Sequence, residues 1–348
     1  MNKQNILALA LKPAMRVTRS VGIGIVLLLA AALIAIITPS AASAPPPCEG
    51  PTATRLVMGL EGASGSTIGP DGALYVTEGA VGRISRVDPQ TGEKTTFASG
   101  LPRAIIGIGG AIDVAFIDNI AYALVTLVGS QFGTSDFVGI YRVDGPDSFT
   151  VVADIGAFNL ANPPTIPFEI TVPTGLQFAL QTYRGGFLVT DGHLNRVLRV
   201  TLDGEITVLI AFGNTVPTGL AVKGNTVYMA EAGPVPHLAQ NGKVVSFGPK
   251  SPTTTEVASG APLLVDVEFG RGDSLYALSQ GIFPAGSPPA TPAQHNTGSL
   301  VKVNGDGTFT GIMDSLDQPT SLEFIGNTAY VVTLTGEIWK IDGVSCLP

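Results

Sequence analysis

Cysteine, histidine, tryptophan and charged side chains are all scarce in this chain of 348 residues. It has two cysteines, three histidines and one tryptophan, and only 13% of its residues are charged. Such a composition excludes a fold dominated by long solvated helices. Glycine and proline are abundant instead, with 43 and 26 residues, so turns must be frequent. The balance predicts an all-β protein with many short strands.

The motifs of several enzyme classes are also missing. No zinc-ligand spacing, phosphate-binding loop or strand-linked dinucleotide fingerprint occurs, and the glycine cluster Gly107–Gly110 stands alone. The three histidines are His193, His237 and His295. None of them recurs at a repeat position, so a Ser-His-Asp hydrolase has no support in the sequence.

The first forty-odd residues have the layout of an export signal. Four basic residues precede an uncharged apolar run, residues 21–37, and small residues follow it up to Ala44. This order is typical of a secretory signal, with cleavage predicted after Ala42. The apolar run is also about long enough for an uncleaved membrane anchor, so both interpretations of residues 1–42 stay open. Either one predicts an extracytoplasmic protein, whether secreted, periplasmic or at the cell surface, with membrane contact only through this segment.

The exported region is acidic. Residues 1–44 carry four basic and no acidic residues, so their removal changes the formal net charge from -8 to -12, with 15 basic and 27 acidic residues left. An acidic surface disfavours nucleic acid as a partner. It is compatible with cations or neutral small molecules, and we expect a monomer.

An internal repeat organises residues 52–348, after a Pro- and Ala-rich linker at 43–51. Each unit has an apolar strand, a Gly or Asn turn, a strand centred on an aromatic residue or Leu, and a third strand with Arg or Lys. The second strands centre on Tyr75, Tyr122, Leu188, Tyr228, Tyr276 and Tyr330. Alternating strands in units of about 40 to 55 residues are typical of propeller blades. The sequence therefore predicts a six-bladed β-propeller of four-stranded antiparallel blades.

The two ends of the repeat region predict how the ring closes. The last unit runs out of chain after its third strand, whereas an extra strand beginning near Arg55 precedes the first unit. We predict that this N-terminal strand completes the last blade, which removes an exposed sheet edge. Closure would also bring Cys48 and Cys346 together, and an oxidising compartment would permit a disulfide between them.

Three longer segments interrupt the repeat, at residues 128–138, 157–173 and 284–297. The first and third lie between the second and third strands of blades two and five. Loops at that place emerge on the rim where the innermost strands begin, so they predict either a covered site on that rim or tolerated surface loops.

Acidic residues occupy two positions that repeat near that rim. Aligning the innermost strands by their last apolar residue places these residues at one position: Gly65, Asp113, Gly175, Gly219, Asp266 and Ser321. The second strands end on the same rim with Glu78, Val125, Asp191, Glu231, Ser279 and Thr333. Five of these carboxylates, Asp113, Asp266, Glu78, Asp191 and Glu231, would form a ring of oxygen ligands for calcium or another divalent cation. The other interpretation is that each acid satisfies turn amides at a strand end.

The repeats resemble the exported ScyD/ScyE-type propellers named after the cyanobacterial scytonemin pigment cluster. The matching stretches cover residues 68–78, 113–123, 217–231 and 266–269. In general form they are also similar to NHL-repeat and gluconolactonase-type propellers. The resemblance implies a six-bladed extracytoplasmic ring, without a firmly assigned reaction. Gluconolactonase-like enzymes hold a metal with Glu, Asn and Asp, and that set does not match here residue by residue.

Two functions follow as expectations. The first is a binding module whose rim takes a small molecule, a glycan or a protein, with a cation at the channel mouth. The alternative is a metal-dependent hydrolase or lyase of gluconolactonase-like type, whose channel-mouth carboxylates act as ligands or base. A propeller frame by itself does not decide between them.

Overall fold

The computed structural model describes residues 50–165, 170–249 and 253–345, all within the compact unit Pro47–Pro348. The predicted signal or anchor segment, Cys48 and Cys346 lie outside the described residues. Export, cleavage, the domain boundaries and the disulfide therefore stay predictions. No helix in the described part of the chain has the length and apolar character needed to cross a membrane.

Six four-stranded antiparallel sheets follow one another along the chain, as the repeat predicts. The innermost strands are β2 (Ala63–Ile68), β6 (Gly110–Ile117), β10 (Gln177–Tyr183), β14 (Pro217–Lys223), β18 (Leu264–Phe269) and β22 (Pro319–Ile325). The second strands are β3 (Leu74–Glu78), β7 (Ile120–Thr126), β11 (Gly186–Asp191), β15 (Thr226–Glu231), β19 (Leu275–Ser279) and β23 (Thr328–Thr333). The third strands are β4 (Arg83–Val87), β8 (Gly139–Gly145), β12 (Arg196–Val200), β16 (Lys243–Phe247), β20 (Gly298–Val303) and β24 (Ile338–Asp342). The outer strands are β5 (Lys94–Ser99), β9 (Ser148–Asp154), β13 (Ile206–Ala211), β17 (Thr255–Ser259), β21 (Phe309–Leu316) and β1 (Thr52–Val57).

Ring closure by the N-terminal strand is confirmed. β1 pairs antiparallel with β24, from Thr52 opposite Asp342 to Val57 opposite Ile338. The sixth sheet therefore has the order β1-β24-β23-β22, with its outer strand taken from the start of the repeat region. Pairing of this kind satisfies the backbone edge that β24 would otherwise expose.

The core lies between neighbouring sheets, because alternate strand residues point to opposite faces. Aromatic residues of the second strands pack against phenylalanines near the ends of the next blade's innermost strand. Tyr75 meets Phe116 at 4.7 Å between ring centroids and Tyr276 meets Phe324 at 4.8 Å. Each sheet thus presents two apolar faces to its neighbours.

Threonine hydroxyls of the innermost and second strands link neighbouring blades around the channel. Each donates to a backbone carbonyl of another blade: Thr77 to Ile112 at 3.1 Å, Thr190 to Thr218 at 2.6 Å, Thr218 to Leu264 at 2.9 Å and Thr320 to Ser64 at 2.8 Å. Such buried hydrogen bonds fix the relative height of adjacent blades. They hold the strands that form the channel mouth.

Candidate functional site at the channel mouth

A cavity of about 400 Å³ opens at the rim where the innermost strands begin. Its wall is formed by residues of the six innermost strands: Ser64, Ile112, Phe178, Thr218, Val265 and Thr320. Loops from other blade positions add Leu127, Leu176, Val235 and Leu334. Most of these side chains are apolar. The volume falls within the range of about 300–1,000 Å³ that is typical of small-molecule pockets.

Of the two insertions that predict a covered site, only the one in blade five, residues 284–297, lines this cavity; no residue of 128–138 does, whereas the segment before blade three contributes instead. Residues 289–292 come from the segment in blade five, and Thr171 and Val172 come from the segment before blade three. That second segment contains the helix α1 (Ile155–Ala161), whose N-cap Asp154 accepts a hydrogen bond from the backbone of Ala157. These segments therefore extend the wall of a cavity that the six innermost strands already line.

Asp113 and Asp266 line the cavity on blades two and five, and each follows an apolar lining residue, Ile112 or Val265, along a strand that begins at the rim. The part of the cavity beside these two carboxyls is called its floor below. The Asp113 carboxylate accepts one hydrogen bond from its neighbour Val114 N at 2.8 Å and another from Leu180 N of blade three at 2.7 Å. Asp266 repeats the pattern, with Leu322 N of blade six at 2.8 Å. Each aspartate thus bridges to the next blade, while part of it stays accessible from the cavity.

Glycine at the same position of the preceding blade makes room for each aspartate. A Cβ at Gly65 would overlap the Asp113 side chain, and one at Gly219 would overlap Asp266. The Gly and Asp positions in neighbouring blades are therefore one structural unit. Ser321 of blade six bridges in a similar way, since its hydroxyl accepts from Ser66 N at 3.1 Å.

The alignment of the innermost strands is confirmed in five blades and wrong in blade three. Gly175 lies before β10, and the residue in register with Asp113 is Ala179. The sequence 173–176 repeats the Pro-Thr-Gly-Leu of residues 217–220, but it belongs to the preceding loop in blade three. In blade three, therefore, the Pro-Thr-Gly-Leu motif lies in the loop before β10, whereas in blade four the same motif forms the start of β14.

The other three predicted acids have separate environments. Glu78 is buried and accepts two hydrogen bonds from Arg83, at 2.9 and 2.7 Å, besides one from Glu61 N. Burial opposes ionisation, but hydrogen bonds from Arg83 and then Ser85 outweigh it and keep the pKa of Glu78 below its ordinary value. Its charge is therefore matched within its own blade.

Asp191 has the most complete set of donors. Its Oδ1 accepts from Leu176 N and Leu194 N, and its Oδ2 accepts from the amides of Asn159 and Gln177, all within 2.7 to 3.1 Å. Burial raises the pKa of Asp191, and these hydrogen bonds together with the charge of Arg196 offset that rise only in part. The residue holds α1 and the start of β10 in place.

Glu231 lies opposite Lys243 in the register of β15 and β16 and is 5% exposed. Burial raises its pKa to about 7, with Lys243 lowering it and Glu256 raising it. Asp113 and Asp266 thus share the channel, whereas Glu78, Asp191 and Glu231 do not join them in one ligand set. Among residues 50–165, 170–249 and 253–345, no three His, Cys, Asp or Glu side chains are grouped to hold a metal ion. The five-acid cation site stays a prediction.

Two further carboxyls lie deeper along the channel. Glu268 and Glu323 follow Asp266 and Ser321 by two residues on β18 and β22, and so point to the same side of their strands. Burial raises the pKa of Glu268 to about 8, with a smaller contribution from Asp266. The pKa of Glu323 is raised well above its ordinary value by burial and then by Glu268, Asp266 and Asp113. These four acids are electrostatically linked.

This linkage predicts a pH dependence of stability. A folded-state pKa above the unfolded value of about 4 stabilises the folded protein at low pH. That stabilisation is lost as pH rises through the folded-state pKa, which is about 8 for Glu268 and well above its ordinary value for Glu323. Glu323→Gln should make the fall in unfolding free energy between pH 5 and pH 9 shallower by more than about 1 kcal/mol. Urea unfolding at each pH measures it. The exposed Glu205→Gln is the matched control, and equal slopes for both variants would contradict the prediction.

Two histidines that the sequence gave no reason to select also line the cavity. His193 Nε2 accepts hydrogen bonds from Thr171 N and Val172 N, both at 3.1 Å, so it fastens the inserted segment to the rim. Burial lowers the pKa of His193, against the charge of Asp191, which favours the neutral ring that this bonding requires. The sequence alignment did not select this histidine, because its loop has no counterpart at a repeat position in the other blades.

His237 is 6% exposed and packs edge-on against Phe283, with 5.1 Å between ring centroids. Its Nδ1 lies 2.7 Å from the carbonyl oxygen of Gly233 and donates to it in the neutral ring. Burial lowers the pKa of His237 despite that carbonyl. Nε2 is then the unprotonated nitrogen on a side chain that lines the cavity.

Comparison with solved structures places the fold among NHL- and gluconolactonase-like six-bladed propellers. A PQQ-bound aldose sugar dehydrogenase from Streptomyces coelicolor matches with 15% identity and a TM-score of 0.58, over 86% of this chain and 99% of that chain. A gluconolactonase from Xanthomonas campestris matches with 12% identity and a TM-score of 0.57, over 83% and 89%. A catalytically inactive histidine-to-alanine variant of virginiamycin B lyase from Staphylococcus aureus, with quinupristin, matches with 14% identity and a TM-score of 0.51, over 84% and 98%.

Likeness at these identities establishes the fold and leaves the activity open. No protein-family model matches the chain, and no curated protein matches it either. The ScyD/ScyE resemblance therefore stays a proposal that rests on the sequence motifs.

Proposed function

We propose that the chain is an exported binding module whose channel-mouth cavity takes a small, largely apolar molecule. The observation that carries this proposal is the cavity of about 400 Å³ with mostly apolar walls in the middle of the rim. Three of the five predicted acids have partners or environments of their own, which favours binding over metal chemistry at this rim. A glycan is less well matched, because sugars need many polar partners and the walls supply few.

An uncharged apolar fluorophore tests the proposal. N-phenyl-1-naphthylamine should bind with an increase in fluorescence and about 1:1 stoichiometry. Ser64→Phe should weaken its binding at least about tenfold, because the new ring would fill the cavity. Phe178 occupies the equivalent position of blade three and packs against Gly192, so a phenylalanine fits this strand position.

Leu202→Phe is the control, since it adds an exposed apolar side chain outside the cavity. It should bind the fluorophore like the original protein. Equal affinity in the Ser64→Phe variant and this control would show that the fluorophore binds elsewhere and would overturn the proposal.

A second candidate function is supported by His237. A neutral imidazole with one nitrogen fixed and the other toward a cavity is the arrangement of a general base. We therefore propose, as the alternative, a hydrolase or lyase reaction that begins with proton abstraction from water or substrate by His237 Nε2. The gluconolactonase and the lyase with this fold make such reactions a reasonable screen.

Hydrolysis of the aromatic lactone dihydrocoumarin tests the alternative. If it is turned over, His237→Asn should lower kcat/KM at least about 100-fold, which is the usual contribution of a general base. Because the pKa of His237 is lowered, activity should persist below pH 6.5 and fall only at lower pH. Turnover that survives in His237→Asn would remove this candidate, and His295→Asn, outside the cavity lining, is the matched control.

A further inference from the structure

We infer that the ligand of the channel-mouth cavity has an apolar body and a protonated amine, and that the ammonium group lies at the floor beside Asp113 and Asp266. This inference rests on the proposed binding function and names the class of ligand. The cavity lining combines apolar side chains, among them Ile112, Phe178 and Val265, with the two carboxyls. Asp113 and Asp266 come one residue after Ile112 and Val265 on strands that begin at the rim, so the carboxyls lie further along the channel.

The floor carboxyls have hydrogen-bonding capacity left for a ligand. Each aspartate accepts one backbone N–H on each oxygen. A carboxylate offers about four acceptor sites, so each keeps unused lone pairs. An ammonium group carries three donors and no acceptor, which is the complement of such a floor. Asp113 and Asp266 belong to opposite blades of the six, so the floor offers hydrogen-bond acceptors to an ammonium group from two sides.

The charged side chains that line the cavity are acidic. None of the described residues that line it is Lys or Arg. Beneath the floor, Glu268 and Glu323 add two carboxyls whose pKa values are raised first by burial. Repulsion adds to that rise, from Asp266 on Glu268 and from Glu268, Asp266 and Asp113 on Glu323. A monovalent cation would relieve this repulsion, whereas a carboxylate or phosphate would increase it. The site therefore selects a cationic group over an anionic one.

The apolar wall argues against a metal ion as the occupant. Calcium requires six to eight oxygen ligands, and two aspartates whose four carboxyl oxygens each already accept a backbone N–H provide fewer. A metal would also leave the apolar wall in contact with water. An amine with a hydrocarbon or aromatic body uses both parts of the cavity. Ile106 and Val235, which line the mouth and are 49% and 42% exposed, extend its apolar contact outward.

Three probes that differ only in the head group test the inference. Octylamine, 1-octanol and octanoate are titrated by calorimetry into the unmodified protein at pH 7.5. Octylamine should bind at least about tenfold more tightly than 1-octanol, and octanoate more weakly than either. The comparison needs no variant. Equal affinities for octylamine and 1-octanol would overturn the amine assignment while leaving an apolar pocket in place.

Two variants and one ion separate the alternatives. Asp266→Asn keeps the size and one oxygen of the side chain, and it should remove most of the octylamine preference while 1-octanol binding is retained. Ser64→Phe leaves the surface charge unchanged, so octylamine that still binds this variant tightly is held by the acidic surface, and the inference fails.

Calcium that displaces octylamine at equal concentration would make the floor a metal site and would also overturn the inference. Loss of binding for all three probes and for the fluorophore would instead overturn the proposed function.

Discussion

Deletion of residues 50–58 should destabilise the propeller by at least about 5 kcal/mol, the lower end of the stability of an ordinary domain. These residues contain β1, which supplies the outer strand of the sixth sheet. Its loss exposes the backbone edge of β24 and removes Val57 from a cluster with Tyr330, Val332 and Ile338. The ring would then have no covalent continuity between its last and first blades.

Urea unfolding followed by tryptophan fluorescence measures this effect. The chain has one tryptophan, Trp339, and this residue lies on β24 directly opposite Arg55 of β1. A variant lacking residues 1–44, which keeps Cys48, is the control and should unfold at an unchanged urea concentration. A synthetic peptide of residues 50–60, added to the truncated protein, should restore part of the loss by strand addition. An unchanged midpoint after removal of β1 would contradict the closure.

Asp191→Ala should cost about 3–5 kcal/mol of unfolding free energy. The substitution leaves four buried donors without their acceptor: the backbone N–H groups of Leu176 and Leu194 and the side-chain amides of Asn159 and Gln177. It also leaves Arg196, 3% exposed, without its nearby counter-charge. Few other single residues tie together as many segments.

Hydrogen exchange separates this effect from general destabilisation. Asn159 belongs to α1 and connects Asp191 to Arg196, whose guanidinium donates to Asn159 Oδ1 at 2.8 Å. Amides of α1 should therefore exchange faster in Asp191→Ala than those of β3, in the distant first blade. Asp306→Ala, which alters an exposed turn, is the control and should have little effect. A loss below about 1 kcal/mol in Asp191→Ala would contradict the role given to this residue.

Much of the fold could be predicted from the sequence because its signals are local. Alternation around residues such as Tyr75 and Tyr330 sets strand faces within a few positions, and the turns between strands carry Gly, Asn and Asp. The last unit lacks a fourth strand after Ile341, and one extra strand near Arg55 precedes the first unit. Because the extra strand can fill the vacant position, the two observations together predict closure of the ring. Each unit repeats the same strand order, so the six units support one another's strand assignment, although they did not prevent the error in blade three.

The site was less predictable because it is built where the repeat stops. His193 and His237 lie in loops that differ from blade to blade, so no repetition marks them. Their place in the cavity follows from the path of those loops. Glu268 and Glu323 carried a usable signal, because they follow the aligned residues Asp266 and Ser321 by two positions on the same strands. Continuing the alignment along the strand would have found them.

The role of each predicted acid depends on its hydrogen-bond donors, and the sequence around the strand end does not identify those donors. Glu78 is paired with Arg83, which faces it in the register of β3 and β4. Asp191 accepts one of its four hydrogen bonds from Asn159, which belongs to an inserted segment that no other blade has. The carboxylates were therefore found at the predicted strand positions, but the distribution of their hydrogen bonds required the structure.

A crystal structure with bound 4-iodobenzylamine would test the channel-mouth site most directly. Anomalous scattering locates the iodine independently of the refined coordinates. The iodine peak should lie in the cavity bounded by Ile112, Phe178 and Val265, with the amine nitrogen within about 3.2 Å of a carboxyl oxygen of Asp113 or Asp266. A peak on the outer surface with an empty cavity would contradict both the binding site and the class of ligand.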